Sequence, residues 1–89
     1  MSEREVVICN KLGLHARAAA RFVQTASQFE SRIVVERNGE QVNGKSIMGI
    51  LMLAAARGTR LKIRAEGSDA EQALECLAQL VVDRFGEDE

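Results

Sequence analysis

The chain has 89 residues, 46% of them apolar, with 12 basic against 13 acidic side chains for a net charge of -1, one His, two Cys, three Phe and no Trp, Tyr or Pro. That is one domain, residues 1–89, with a single modest core; the charge lacks the basic excess of a nucleic-acid binder, and three Phe make no base-stacking platform. The lone His and two distant Cys cannot close a structural zinc site, and the longest uncharged apolar stretch, Ile47 to Ala56, is ten residues, too short to cross a bilayer.

The opening MSEREVVICN is charged and has no signal-peptide apolar region, so a cytoplasmic protein with no membrane partner is expected. Glu5–Cys9 is short, β-branched and apolar, which predicts a strand. Asn10 to Leu14 is a loop containing Gly13. From Ala16 to Ser27 the spacing becomes helical, with Ala19, Phe22, Val23 and Ala26 on one stripe. Arg32–Arg37 is a strand with Ile33 and Val35 on one face, and Asn38-Gly39 is a hairpin signal leading to a returning strand, Glu40–Val42. Ser46 is a candidate N-cap for a short apolar helix from Ile47 to about Leu53, with Ile50 and Leu53 in the core. Arg60–Glu66 alternates, with Leu61, Ile63 and Ala65 on one face and charged residues on the other. Ser68 and Glu71 form a candidate capping box, with Asp69 and Gln72 offering the same chemistry one residue later. The last helix runs from about Ala70 to Phe85, Gly86 stops it, and Glu87-Asp88-Glu89 reads as a frayed acidic tail. The order is β-α-β-β-α-β-α, two layers with helices covering one sheet face. Cys9 and Cys76 read as reduced small hydrophobes.

Chemistry concentrates at Gly13-Leu14-His15-Ala16-Arg17. The only His stands where a loop becomes a helix. A neutral imidazole there is a nucleophile, and an anion attached to it meets the free amides of the helix start, Ala16 and Arg17. Arg17 adds a planar donor fork suited to phosphate oxygens. On residue pattern alone, a surface or capping His fits as well. Gly39 to Ser46 satisfies G-x-x-x-x-G-K-S, but Gly39 belongs to a hairpin turn and Glu40–Val42 to a strand, so it is not a P-loop.

GLHARAAARF, followed some thirty residues later by KSIMG, resembles the HPr family, the histidine-containing phosphocarriers of the bacterial phosphoenolpyruvate:sugar phosphotransferase system. The resemblance runs from VVIC to the last helix. It implies an α+β open-faced β-sandwich, a four-stranded antiparallel sheet covered on one face by three helices. It implies that His15 takes a phosphoryl group on Nδ1 from phospho-enzyme I and passes it to an enzyme IIA-type domain, with Arg17 as phosphate partner. No cofactor or metal is implied, and the protein is a carrier rather than an enzyme. Ala18 stands where the family motif usually has Pro; Ala is a good helix former, so the helix survives. The family likeness further implies regulatory phosphorylation of Ser46 by an HPr kinase/phosphorylase, and docking through Ala20, Ile47, Met48, Leu51 and Met52. Arg17, Arg21 and Lys45 are left to meet an acidic partner, the basic ring of enteric members being absent at Gln24, Ser27 and Gly49. Two alternatives stay open: the nitrogen-related branch of the family, and a module that binds a transcription regulator when Ser46 is phosphorylated. A monomer is expected, because a carrier exposes its site to successive partners.

Overall fold

Strict alternation in Arg60–Glu66 buries Leu61, Ile63 and Ala65 and turns Lys62 and Arg64 the other way. This sets a sheet with one apolar face and one charged face. The computed structural model, which describes residues 2–89, builds that sheet from β1 (Ser2–Val7), β2 (Arg32–Arg37), β3 (Glu40–Asn43) and β4 (Arg60–Glu66). The helices are α1 (Ala16–Ala26), α2 (Ile47–Met52) and α3 (Ala70–Val82), and a short 3-10 turn follows at Arg84–Gly86. Strand order is β1-β4-β2-β3, all neighbours antiparallel. This is the expected four-stranded sheet with three helices.

The apolar face carries Val6, Ile33, Val35, Leu61, Ile63 and Ala65. The helices bring Ala19, Phe22, Ile50, Leu74, Leu77 and Val81 against it. Each Val, Leu, Ile or Phe among them, fully buried, contributes about 1.5–3 kcal/mol, and each Ala methyl less. On the other face Arg64 of β4 bridges its neighbouring strands, 3.1 Å from Glu3 and 3.0 Å from Glu36. The Asn38-Gly39 signal holds: both residues take positive φ, 51° and 85°, as a two-residue hairpin turn needs.

Three local expectations are corrected. β1 is Ser2–Val7, not Glu5–Cys9. Its charged first half pairs with the far end of the seven-residue β4, Ser2 opposite Ala65 and Arg4 opposite Ile63. Ile8 still bonds across to Thr59 and Gly58, but Cys9 leaves the strand and its thiol donates to the Val81 carbonyl at 3.2 Å. The capping box does not form. Asp69 is the N-cap of α3 but makes no side-chain bond there; its carboxylate instead accepts the amides of Glu30 and Ser31. Last, α3 ends at Val82 and not Phe85, because Arg84 and Phe85 both take positive φ (56° and 55°). Phe85 remains in the core, 1% exposed, reached by a turn rather than by continued helix.

Candidate functional site

The position of His15 begins with the loop before it. Gly13 has φ +70°, and a Cβ there would lie 2.5 Å from the Ala55 carbonyl oxygen. Only glycine allows this approach. Asn10 Nδ2 donates to the Gly13 carbonyl at 2.9 Å, and the Leu14 amide donates to Ala55 at 2.9 Å. Leu14 is buried, so the chain enters α1 with His15 as N-cap, extended at φ -75° and ψ -179°. The His15 carbonyl accepts the Ala19 amide at 2.8 Å, the first bond of the helix.

The imidazole has a partner on each nitrogen. Nδ1 accepts the Arg17 amide at 3.3 Å, and Nε2 meets Glu87 Oε2 at 2.5 Å. An acceptor at Nδ1 and a carboxylate at Nε2 assign the ring proton to Nε2. The Arg17 amide, expected to be free, is therefore occupied by the imidazole. Arg17 Nε lies 3.6 Å from the same Glu87 oxygen, and its side chain is 64% exposed.

Glu87 is the residue that sequence reasoning missed. Expected in a frayed tail, it is 12% exposed at its side chain and accepts from Asn10 Nδ2 at 2.9 Å. The Asn10 hydrogen bond first, then the His15 hydrogen bond and the Arg17 charge, hold its carboxyl below the usual range against the opposing effect of burial. Beyond it Glu89 folds back as well: its carbonyl accepts the Lys11 amide and its carboxylate lies 3.5 Å from Lys11 Nζ. The only local signal was Gly86 with φ +78°, which redirects the chain without saying where.

The second cluster lies on α2. Ser46 is its N-cap, and its hydroxyl accepts the Gly49 amide at 3.1 Å. Ile50 and Leu53 are in the core as expected. Ile47, Met48 and Met52 are exposed, and Leu51 is half-buried against the core. α1 packs against α2, so half-buried Ala20 and the apolar residues of α2 belong to adjoining helices. Arg21 and Lys45 were expected to be free for a partner. Arg21 donates to the Phe85 carbonyl, and Lys45 Nζ to the Phe29 carbonyl at 2.7 Å. Both keep their charge, but their positions are set by the protein. Arg37 donates to the carbonyls of Leu53 (2.6 Å) and Ala54 (3.1 Å), closing the C-terminal end of α2. The P-loop-like string is divided between the hairpin turn, β3 and the α2 cap. Cys9 and Cys76 are free thiols.

The family model described as "PTS HPr component phosphorylation site" matches residues 2–83. The chain is 51% identical over 89 residues to the phosphocarrier protein HPr of Neisseria meningitidis serogroup B, covering 100% of both chains. It is 40% identical over 85 residues to the phosphocarrier protein NPr of Shewanella violacea, covering 96% of this chain and 93% of that one. The crystal structure of HPr-C-His from Thermoanaerobacter tengcongensis superposes with a TM-score of 0.96 at 50% identity, over 100% of both chains. A full-length sequence match, the same sheet and helix arrangement and a family model spanning the His15 loop agree: the chain belongs to the HPr family of phosphocarriers of the phosphotransferase system.

Proposed function

We propose that this chain, acting as a single domain over residues 1–89, carries a phosphoryl group on His15 Nδ1. The group comes from phospho-enzyme I and goes on to an enzyme IIA-type domain. One observation carries the reading: a partly exposed imidazole at the N-cap of α1, its proton on Nε2 and the lone pair of Nδ1 directed at the Arg17 amide. That lone pair attacks phosphorus, the nitrogen–phosphorus bond of the donor breaks, and its electron pair returns to the donor ring. The new anion displaces Nδ1 from the Arg17 amide and meets the Ala16 and Arg17 amides at the positive end of the helix. Arg17, largely in solvent, can fold over the phosphoryl oxygens. Partner enzymes supply the donor and the rest of the transfer site, so the protein acts as carrier and not as free-standing catalyst.

Partner docking falls to Ala20, Arg21, Lys45, Ile47, Met48, Leu51 and Met52. Exposed methionines adapt to more than one partner surface, and an exposed apolar group beside two cations suits an acidic protein. Ser46 is the candidate for regulatory phosphorylation by an HPr kinase/phosphorylase. A phosphate there adds about -2 of charge at a helix N-terminus, where the fold tolerates it and docking does not. The same phosphate could recruit a transcription regulator. Among the described residues no helix is long and apolar enough to cross a membrane. We place the carrier in the cytoplasm as a monomer, since it must expose its site to successive partners.

A nitrogen-related role is the second reading, favoured by the acidic FGEDE ending and by the NPr likeness. Intact mass after incubation with phosphoenolpyruvate and enzyme I tests the first reading. One acid-labile phosphoryl group is expected, absent in His15→Ala. Transfer only from a nitrogen-type enzyme I would select the second.

A further inference from the structure

The C-terminal turn delivers a carboxylate to the back of the imidazole. Phe85, 1% exposed, anchors the turn in the core, and the Arg21 guanidinium donates to its carbonyl. Glu87 then has one oxygen on fully buried Asn10 and the other 2.5 Å from His15 Nε2. The contact spans 72 residues of sequence and is shielded, with the two side chains 24% and 12% exposed.

We infer that Glu87 is a positioning residue for phosphoryl transfer: its carboxylate holds the ring proton on Nε2, leaves Nδ1 as the nucleophile, and stays paired with Nε2–H in the phosphorylated ring. This deepens the carrier reading of His15 and rests on it.

The proton balance gives the carboxylate its role. A neutral imidazole has one N–H. With that proton on Nε2, attack by Nδ1 gives a ring bearing phosphorus on one nitrogen and hydrogen on the other, and the ring becomes cationic. Glu87 lies against that cation. In the onward step the Nδ1–phosphorus bond breaks, its electron pair returns to Nδ1, and the ring leaves as neutral imidazole. A ring that had lost the Nε2 proton would have to leave as an imidazolate anion, a far poorer leaving group. Glu87 therefore favours the form of the phosphorylated ring that can pass the group on. Arg17, Lys11, Asp88 and Glu89 line the pocket beside Glu87. Arg17 approaches Glu87 from α1 at 3.6 Å, and Lys11 and Glu89 pair with each other at 3.5 Å on the neighbouring loop and tail.

The experiment compares wild type, Glu87→Ala and Glu87→Gln by nitrogen-15 NMR of the His15 ring, before and after phosphorylation. Gln keeps an oxygen for Asn10 and so separates loss of charge from release of the tail. Wild type should show the Nε2–H tautomer, and Glu87→Ala a mixture. In the phosphorylated proteins the pH at which the ring loses its proton should fall by about one unit in both variants, the equivalent of tenfold in proton affinity. Onward transfer should slow by about tenfold, through kcat rather than KM. An unchanged tautomer in Glu87→Ala, or an unchanged ring titration in both variants, would overturn the inference. The tautomer is read in the unphosphorylated protein. Failure of wild type to accept a phosphoryl group would thus refute the carrier reading while leaving Glu87 independently tested.

Discussion

Asp69 holds Ser31: its carboxylate accepts the Ser31 amide at 3.0 Å and the Ser31 hydroxyl, tying the start of α3 to the start of β2 across 38 residues. The Glu30 amide donates to the other oxygen at 2.9 Å. The Ser31 hydroxyl, then the Glu30 amide, hold the Asp69 carboxyl below its usual 3.8. A carboxyl depressed in the folded state contributes stability above its unfolded pKa, and that contribution is lost as pH falls through the lower folded value. Asp69→Ala should therefore melt at a lower temperature than wild type at pH 7. The gap should narrow in acid, as pH falls below 3.8 and through the lowered folded value and the carboxylate of wild type is protonated. Circular-dichroism melts at pH 7 and in acid check this, and an equal gap at both would show that Asp69 works through shape alone.

Burial separates the two kinds of apolar residue on α1 and α2. Phe22 is 1% exposed, and Phe22→Ala should cost about 3–5 kcal/mol in urea unfolding. Met48 is 70% exposed, and Met48→Ala should stay within about 0.5 kcal/mol of wild type. If the proposed docking role holds, the same Met48 variant should weaken binding to enzyme I by calorimetry; unchanged binding would remove Met48 from that face.

Ser46 caps α2 through the Gly49 amide. Ser46→Ala should lower stability by about 1 kcal/mol, measured in denaturant. Ser46→Asp restores an acceptor and places an anion at the helix start, so its stability should return toward wild type. Its affinity for an acidic partner should fall, and that loss should shrink with added salt.

Gly13→Ala strains the loop twice, by its φ of +70° and by the Ala55 carbonyl 2.5 Å from the new Cβ. The cost should exceed about 1 kcal/mol. Displacement of the loop should also loosen the Asn10–Glu87–His15 chain, so phosphoryl acceptance should fall in protein that is still folded. Stopped-flow transfer alongside a thermal melt checks both effects.

The parts of the fold legible in the sequence are those governed by neighbours along the chain. Leu61, Ile63 and Ala65 alternate with charged residues, Asn38-Gly39 supplies two positive-φ positions, and Ser46 stands three residues before the amide it caps. The placement of His15 and Arg17 at a helix start was legible for the same reason, but their candidate role came from the family resemblance, since the local pattern fits a capping His equally well. Glu87 was not legible. Its partners His15 and Asn10 are 72 and 77 residues away, and an acidic run after Gly86 has the composition of a solvated tail. Asp69 misled in the same way: local spacing offered a capping box, and two amides of the α1–β2 connection captured the carboxylate instead. The start of β1 was missed because Ser2, Glu3 and Arg4 have low strand preference alone and gain it from the long partner strand β4.

Arg37 has a kinetic consequence. By holding the Leu53 and Ala54 carbonyls, it fastens the end of the helix bearing Met48 and Met52 to a strand of the sheet. Those two bonds oppose lifting or unwinding of that helix as a separate flap. A partner docking there, as proposed, would meet a helix already tied in place, with less ordering left for the moment of contact. Encounters should then convert to complexes without a slow rearrangement, and residence time should follow from how few contacts the small apolar patch can make. Brief, frequent pairing is what a molecule needs if it is to leave one protein and find the next.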